Sequence, residues 1–452
     1  MKYSMIVDDI MREISSGSRA PGSKMPSIRD LCARYKCTKS TALRAYYELK
    51  ELNLVYSMPG SGYYLISNFG ETAVQSTAVD FSGTSLDKSS LPYNEFQPCI
   101  SQAISKYKED LFAYTDPKGL GQLTGALRKH LQDHQVFTSS ERIFVTTGSQ
   151  QALNLLSRMH FPNAKTNVVL EQPTYQGMIE CLKQNNISAV GVSRDFSGLD
   201  LEGLERAFRN DNIKFFYTIP RFNNPLGLSY SNADKKKILS LAEKYNVYIV
   251  EDDYLGDLEE DSKSTPIFSF DKSDRVVYIK TFSKVVLPSM RIAVTVLPKL
   301  LINEFRDYKY WADINTPLIS QGALEIYLNS GMFNQHINKI RRMYSLRMSQ
   351  LKKLSEKHTS PSIQWHIPGK GGFYAGLEIL NSVRHKDVVD GLLKKNILLT
   401  NLENYYLKEF KNENILRLSI TRTENSTMES GIVEIINEIE NGSGKHKGSI
   451  YL

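Results

Sequence analysis

The sequence predicts an α/β protein in two parts: a small N-terminal domain of helices and a hairpin, then a domain built on a mostly parallel sheet. The chain has 452 residues, and single domains mostly run to about 100–200 residues, so more than one core is expected. Apolar, β-rich runs alternate with helical stretches over most of the chain, which is typical of a parallel sheet covered by helices. The N-terminal segment lacks this alternation and is rich in basic residues instead.

Composition excludes several classes of protein. Apolar residues make up 41% and charged residues 23%, which excludes a collagen-like or mostly disordered chain. No apolar run approaches the roughly 18–20 residues that cross a bilayer, and the opening MKYSMIVDDI holds two aspartates where a signal peptide would be apolar. The four scattered cysteines do not form a zinc-binding set, and no metal site is expected. We therefore expect a cytoplasmic location, with cysteines that are buried as small apolar residues or, at Cys32 and Cys37, act as a redox switch.

Residues 1–67 have the pattern of three short helices and a β-hairpin. An isoleucine at every fourth position from Ile6 to Ile14 marks one face of a first helix. Ser27 is typical of the N-cap of a second helix, and Thr38 is placed to cap a third. Two strand-like runs follow at Leu54–Tyr56 and Tyr63–Ile66, joined across Pro59-Gly60-Ser61-Gly62.

This segment is basic, and its polar residues cluster where the third helix begins. Between Arg19 and Lys50, eight Lys and Arg residues stand against two acids. Lys and Arg neutralise phosphates, whereas Ser, Thr and Arg at a helix N-terminus reach base edges in the major groove. The pattern predicts a winged helix-turn-helix that binds double-stranded DNA; a basic module that binds another protein is the alternative. The predicted DNA contacts are Arg29, Thr38, Lys39, Ser40, Thr41, Arg44, Gly60 and Gly62.

Three motifs in this segment resemble the GntR-type winged-helix family. They are PGSKMPSIRDL, TKSTALRAYYEL and GSGYYLI, and the resemblance covers residues 1–67. Lys39 stands where such proteins often carry Arg; lysine keeps a phosphate contact but lacks the planar fork that reads guanine bidentately. The resemblance implies the DNA-binding domain of a transcription regulator.

A linker and a second domain follow. Residues 68–79 lack periodicity and predict a short linker, residues 80–440 form the second domain, and residues 441–452 are expected to be a disordered tail. Helical patterns fill about 300–357, and a smaller α+β region runs from about 363 to 439. Seven apolar runs are mostly continuous, as in strands buried on both faces. They are Arg142–Thr147, Asn167–Glu171, Ile187–Val192, Ile213–Ile219, Val247–Glu251, Arg275–Thr281 and Ile292–Leu297.

Polar residues suited to one cofactor stand at the ends of several of these strands. The run Thr147–Gln151 opens a helix, whose N-terminus favours a phosphate. Asp252 and Tyr254 end another strand, where a carboxylate can pair with a protonated ring nitrogen. Lys284 follows a third strand, and a lysine among small and apolar residues can have a depressed pKa and form a Schiff base. Taken singly, each run is also what a plain turn or a solvated loop would show.

Seven motifs, in order, resemble fold type I pyridoxal-phosphate enzymes of the aminotransferase class over about residues 80–440. They are YTDPKGLGQL, TTGSQQAL, EQPTY, RFNNPLG, EDDY, TFSKVVLPSMR and LRLSI. The resemblance implies that Lys284 holds pyridoxal 5'-phosphate as a Schiff base and that Asp252 keeps the pyridine nitrogen protonated. It implies that Tyr254 and Asn224 donate to the ring's 3-oxygen and that Tyr175 stacks on the ring. The remaining implied roles are a phosphate cup of Ser149, Gln150, Thr281 and Arg291, a phosphate contact from Tyr114 of a neighbouring subunit, and a carboxylate grip by Arg417.

Both resemblances together are the plan of the MocR subfamily of GntR regulators. They imply a homodimer on an operator with repeated half-sites, whose aminotransferase-like domain senses an amino acid, amine or vitamer through Schiff-base exchange. The linker is short for that group, and Asn224 precedes a proline as in active transaminases. An active class I/II aminotransferase with a DNA-binding arm is therefore the alternative, whereas a scaffold with a dead second domain is disfavoured because the implied positions are all filled. Two further hypotheses concern arginines. Arg417 is alternatively a surface residue of a strand, and Arg221 is a charge near the pocket that favours an acidic ligand side chain.

Overall fold

The computed structural model describes residues 2–15, 23–51, 54–58, 61–65, 78–369, 371–410 and 414–447. The chain divides into two compact units, Met1–Thr77 and Ala78–Leu452. Within the described residues, no helix has both the length and the apolar character needed to span a bilayer.

The first unit contains three helices and a two-stranded antiparallel hairpin. Ser27 and Asp30 bond each other's backbone N–H groups in a capping box, so the second helix begins where the sequence predicted. Apolar side chains from all five elements, including Leu31 and Tyr46, form its core. The elements are α1 (Lys2–Ser15), α2 (Ile28–Tyr35), α3 (Lys39–Glu51), β1 (Val55–Met58) and β2 (Gly62–Leu65).

The second unit is built on an eight-stranded sheet in the order β4-β11-β10-β9-β8-β5-β6-β7. β11 runs antiparallel to both of its neighbours and β7 forms a hairpin with β6, while the other pairings are parallel. The carboxyl ends of β4, β5, β8, β9 and β10 therefore meet at one edge. The strands are β4 (Ile143–Thr146), β5 (Asn167–Gln172), β6 (Ala189–Asp195), β7 (Gly198–Leu199), β8 (Ile213–Thr218), β9 (Tyr248–Asp252), β10 (Val276–Thr281) and β11 (Ala293–Val296).

Helices flank this sheet, and a smaller three-stranded sheet in the order β12-β13-β15 follows. The helices are α4 (Tyr93–Tyr107), α5 (Gly121–Asp133), α6 (Ser149–Arg158), α7 (Gln176–Gln184), α8 (Leu201–Asn210), α9 (Asn232–Lys244), α10 (Ile302–Asp313), α11 (Leu318–Asn329), α12 (Met332–Lys357), α13 (His385–Lys394) and α14 (Asn425–Lys447). The remaining strands are β3 (Val79–Asp80), β12 (Ile363–His366), β13 (Tyr374–Ile379), β14 (Ile397–Leu398) and β15 (Ile415–Ser419).

Two boundaries differ from the sequence-based expectation. Val79, assigned to the linker, lies in β3 and pairs with Ile397 of β14, while residues 66–77 lie outside the described residues. The tail prediction is wrong for 441–447, because α14 continues to Lys447. Gly442 explains the continuation: its backbone lies so close to Val383 that an added Cβ would come within 2.9 Å of that side chain, so glycine permits tight helix packing here.

Candidate functional site

A cavity of about 380 Å³ lies at the carboxyl edge of the large sheet. It brings together side chains that the sequence had grouped by motif alone, including Lys284, Asp252 and Asn224. Its lining also includes Thr84 and Tyr405, which the sequence analysis did not select. Ligand sites of α/β sheets lie at this edge because strand-to-loop turns converge there.

Lys284 lies just beyond the end of β10. Its ammonium Nζ donates to the carbonyl oxygen of Thr84 at 2.6 Å. Burial, together with the charges of Arg417 and Arg291, lowers the lysine pKa to about 8, while Asp252 opposes this shift. A sizeable fraction of this amine is therefore neutral near neutral pH, which is the form that attacks a carbonyl.

Asp252 is the last residue of β9 and is buried. Its Oδ2 accepts a hydrogen bond from the hydroxyl of Tyr217 at 2.9 Å, but its Oδ1 has no hydrogen-bond partner among the described residues. Burial raises the pKa of this carboxyl to about 7, although Tyr217 and Lys284 act in the opposite direction. An unpaired buried carboxylate oxygen is costly, and a protonated ring nitrogen is the kind of group that would satisfy it.

The pKa of Asp252 predicts a pH dependence in cofactor-free protein. Relative to Asp252→Asn, the wild type should lose stability as pH rises from about 4 to about 7 and change no further above 7. Between these pH values the folded protein holds a proton that the unfolded chain has already released, so rising pH favours the unfolded chain until the folded carboxyl also loses its proton near pH 7. Urea unfolding of both proteins at several pH values measures the difference, on the order of 4 kcal/mol across the window. Parallel stability curves would contradict the expectation; added pyridoxal phosphate should flatten the trend.

Tyr175, Asn224 and Tyr254, which the sequence predicts to face the cofactor ring, all line the cavity. They differ in whether their polar groups already have hydrogen-bond partners. Tyr175 lies across Gly177, where an added Cβ would come within 2.5 Å of the tyrosine ring. The Asn224 amide oxygen accepts from Arg417 Nη1 at 2.9 Å, which leaves its NH₂ group for a ligand. The Tyr254 hydroxyl donates to the carbonyl oxygen of Phe222 at 2.7 Å, so it must turn that hydrogen away to reach a ring oxygen.

Groups that the sequence predicts to bind the cofactor phosphate lie where α6 begins. Ser149 is the first residue of α6, after Gly148 with a φ of 77°, so the helix N-terminus opens toward the cavity. A Cβ at Gly148 would meet the Arg291 guanidinium at 2.5 Å, so only glycine allows that arginine so close to the turn. Gln150 Nε2 donates to the Gly177 carbonyl at 3.0 Å.

Thr281 and Ser283 provide hydroxyls beside this turn. Thr281 Oγ1 accepts from the backbone N–H of Ser283 at 3.2 Å. The Ser283 Oγ is buried without a hydrogen-bond partner among the described residues. Ser283 stood inside the TFSK motif, but the sequence analysis did not select it; the orphaned hydroxyl makes it a further phosphate ligand candidate.

Arg417 is 1% exposed, so the alternative that it is a surface residue is wrong. Its Nη1 donates to Asn224 Oδ1 and to the Tyr405 hydroxyl, at 2.9 and 3.1 Å. Its Nη2 donates to Thr400 Oγ1 at 2.5 Å and to the Ser82 carbonyl at 3.3 Å. The guanidinium therefore lies among polar groups, with only its Nε lacking a hydrogen-bond partner among the described residues, and a carboxylate that bonds the Nη atoms must displace some of these acceptors.

Residues Ser82–Thr84, which we name the strap, were missed by sequence reasoning. The Ser82 carbonyl contacts Arg417 and the Thr84 carbonyl contacts Lys284. Both contacts use backbone oxygens, which leave no signature in side-chain patterns. Tyr217 was missed too, although a tyrosine within the continuous apolar run IKFFYTI predicts a buried partner for its hydroxyl, which the structure shows to be Asp252.

Two of the sequence hypotheses concern residues that lie apart from this cavity. Tyr114 is 83% exposed and does not line it. Arg221 is buried and pairs bidentately with Asp253, so the idea that it supplies a free charge to the ligand is wrong. The carboxylate neutralises the guanidinium, which raises the arginine pKa although burial opposes this.

The predicted DNA-contacting side chains lie around the start of α3. Arg29, Thr38, Lys39, Ser40 and Arg44 are exposed, whereas Thr41 is half-buried. The Thr38 hydroxyl caps α3 and contacts the Ser40 and Thr41 hydroxyls at 2.9 Å each. Arg44 lies over the Tyr3 ring at 4.8 Å. Gly62 has a φ of 116° in β2, and Gly60 lies outside the described residues.

Comparison with known proteins matches both units to families. The profile of "Aminotransferase class I and II" matches residues 84–435, and that of "Bacterial regulatory proteins, gntR family" matches residues 2–65. The uncharacterized HTH-type transcriptional regulator YcxD of Bacillus subtilis is 42% identical, over 95% of this chain and 98% of its own. The HTH-type transcriptional regulator NorG of Staphylococcus aureus is 22% identical, over 91% and 98%.

A solved structure supports the fold of the second unit. The kynurenine aminotransferase of Pyrococcus horikoshii, in complex with PMP, superposes with a TM-score of 0.75 at 25% identity, over 80% of this chain and 91% of its own. Pyridoxal phosphate is accordingly the cofactor, and the unpaired Asp252 Oδ1, on a residue that lines the cavity described above, fits its protonated ring nitrogen. The chain belongs to the GntR-type helix-turn-helix regulators that carry a class I and II aminotransferase domain, the plan of the MocR subfamily.

Proposed function

We propose that this regulator binds an amino acid in the pyridoxal-phosphate pocket and that binding changes its affinity for an operator. The observation that carries the proposal is the strap, whose two carbonyls occupy the groups that an amino acid would use. Arg417 would take the carboxylate, and Lys284 marks the place of the amino group. An amine or a vitamer without a carboxylate is the alternative effector, because it would engage the second position alone.

The pocket residues have distinct tasks in this proposal. When bound, pyridoxal phosphate supplies an aldehyde that condenses with primary amines and a ring that withdraws electrons. Lys284 holds the cofactor and, with its lowered pKa, exchanges protons near neutral pH. Asp252 keeps the ring nitrogen protonated through its unpaired Oδ1, while Tyr217 fixes its other oxygen. Asn224 and Tyr254 orient the ring oxygen, and the Ser149 turn with Arg291 anchors the phosphate.

Strap release links the pocket to the rest of the chain in this proposal. An amino acid whose carboxylate pairs with Arg417 would remove the partner of the Ser82 carbonyl, whereas the Thr84 carbonyl would lose its partner when Lys284 holds the cofactor. The contact of Arg417 with the Ser82 carbonyl favours the ligand-free state only, so a carboxylate ligand shifts the strap by its differential affinity. The strap follows residues 66–77 in the sequence, the segment that joins the two units.

Full transamination is the second candidate function. The specific observation in its favour is that the lysine, acid and ring-oxygen donors surround one cavity, as turnover would require. Steady-state turnover with a 2-oxo acid, measured beside DNA binding on the same preparation, separates the two. Turnover that does not affect DNA affinity would favour the enzyme; a ligand-dependent change in DNA affinity without turnover would favour the regulator.

A homodimer is part of the proposal. Large apolar side chains on and after α4 are exposed, among them Ile104, Phe112 and Tyr114 at 41%, 68% and 83%. Such a concentration is typical of a surface that another protein covers. A second copy covering it would bring Tyr114 toward the partner's phosphate site. Two DNA-binding domains per dimer would then read repeated half-sites in the cytoplasm.

Lys39 offers a direct test of the DNA-binding face. Lys39→Ala should weaken operator binding and reduce the slope of log affinity against log salt by about one, because one phosphate contact is lost. Lys353→Ala, an exposed lysine on α12, is the matched control and should leave the slope unchanged. Equal slopes for the two variants would contradict the placement of α3 on DNA. Arg44→Ala is less clean because Arg44 also packs on Tyr3.

A further inference from the structure

His130, His134 and Asp257 form a buried cluster outside the cofactor pocket. The two histidines stand four residues apart at the end of α5, so their side chains share one helix face. Asp257 lies in the turn Gly256–Leu258. The Nε2 atoms of His130 and His134 lie 3.1 and 2.9 Å from Asp257 Oδ1, and the three atoms lie within 4.8 Å of one another.

These close contacts do not have the geometry of hydrogen bonds. His130 is 8% exposed and Asp257 1%, yet His130 Nε2 and both Asp257 oxygens have no hydrogen-bond partner among the described residues. A ring nitrogen at this distance without a hydrogen bond does not point at the oxygen. Metal ligands behave in this way because each points at the ion between them. Polar atoms buried without partners are rare and indicate a missing ligand or ion.

We propose that His130, His134 and Asp257 bind a divalent transition metal, of which Zn²⁺ suits the ligands best. Imidazole nitrogens and a carboxylate oxygen are typical zinc ligands, and three protein ligands leave a fourth position for water or another group. A separate cavity of about 450 Å³ adjoins the cluster and includes Asp133, Glu259 and Asp261 in its lining. These carboxylates give the cavity a negative potential that attracts a cation to the cluster. The sequence predicted no metal site because Asp257 is far from the histidines along the chain.

Lys280 is the residue whose substitution distinguishes a metal site from a metal-free network of ion pairs, because it contacts Asp257. Its Nζ lies 2.8 Å from Asp257 Oδ2, the oxygen that the two histidines do not approach. Ligating carboxylates usually have such an outer partner on the second oxygen. The ammonium charge also repels a cation nearby, so Lys280 should weaken metal binding while it orients Asp257. In a metal-free network, by contrast, the Lys280 ammonium would balance the charge of the Asp257 carboxylate in place of a metal ion.

The test uses the full-length, cofactor-loaded protein, freed of metal by a chelator and titrated with zinc chloride by calorimetry. We expect one Zn²⁺ per chain, and a loss of about 100-fold or more in affinity for His134→Gln. His160→Gln, which alters an exposed histidine elsewhere in the same unit, should bind zinc like the wild type. Cobalt(II) in place of zinc should give a visible d–d spectrum that His134→Gln lacks. Less than a tenth of an equivalent of zinc bound to the wild type, or equal affinity in His134→Gln, would overturn the proposal.

Lys280→Met provides a second readout that does not depend on a ligand variant. If the site binds metal, this change should tighten zinc binding, and zinc should restore thermal stability that the variant loses in chelator. If the cluster is a metal-free network, the variant should be destabilised equally with and without zinc. That result would overturn the metal site and leave the proposed sensing function untouched, because neither measurement uses an amino acid or DNA.

Discussion

Lys284→Ala should abolish the covalent attachment of pyridoxal phosphate to the chain. Lys284 is the lysine that lines the cavity, and burial lowers its pKa to about 8, which makes its amine nucleophilic near neutral pH. After borohydride reduction, mass spectrometry of the wild type should show one cofactor on the peptide that contains Lys284. The variant should show none, and its yellow colour should wash out on dialysis.

Lys214→Met is the matched control for this experiment. Burial also lowers the pKa of Lys214 to about 8, but its Nζ donates to the Ser157 carbonyl at 2.6 Å and it does not line the pocket. If a lowered pKa alone directed the reaction, both lysines would be labelled and the control would lose half of the label. Covalent cofactor retained in Lys284→Ala would show that the assignment of Lys284 is wrong.

Arg417→Ala should remove the response to an amino acid while leaving the cofactor attached and the DNA affinity intact. Truncating one member of a buried, hydrogen-bonded charge pair costs about 2–5 kcal/mol, or roughly 30- to several-thousand-fold in affinity. The cofactor's absorbance on titration with amino acids reports binding, and DNA affinity with and without the amino acid reports the switch. Neither the link at Lys284 nor the DNA-binding unit contains this residue.

A second variant is needed because Arg417 also holds neighbouring side chains through its hydrogen bonds. Removing the guanidinium leaves Asn224 Oδ1 and the Thr400 hydroxyl without their partner, which could shift the ring-facing amide. Arg417→Lys keeps the charge but lacks the planar fork, so it should recover part of the affinity for a carboxylate. If both variants respond normally, the effector is an amine or a vitamer without a carboxylate, and the amino-acid hypothesis fails.

The sequence was sufficient to predict the positions of those site residues that lie at strand ends. Lys284 and Asp252 follow apolar runs that had to be buried strands, and strand ends of a parallel sheet converge. Helix starts were also accessible, because Ser27 and Asp30 have the spacing of a capping box. The prediction of a disordered tail went wrong at 441–447 because glycine favours both disorder and tight helix packing, and sequence alone does not distinguish them.

The interior of the pocket could not be derived in the same way. The four partners of Arg417 come from three segments far apart in the chain, and one of them is a backbone carbonyl. Arg221 was misjudged because its partner Asp253 stood in the EDDY motif as an apparent loop acid, whereas the structure buries both charges together. Long-range pairings of this kind depend on the packed fold rather than on local spacing.

The strap also determines the ligand concentration at which the protein responds. A carboxylate ligand binds only those molecules in which the Ser82 carbonyl has left Arg417, so the measured dissociation constant equals the intrinsic one divided by that fraction. If about one molecule in a hundred is open, the response threshold lies about 100-fold above the intrinsic constant. Gly83 governs this fraction, because a Cβ there would come within 2.3 Å of Thr421 Oγ1 and displace the segment. A change at that single residue can therefore reset the threshold while every group that contacts cofactor and ligand stays the same.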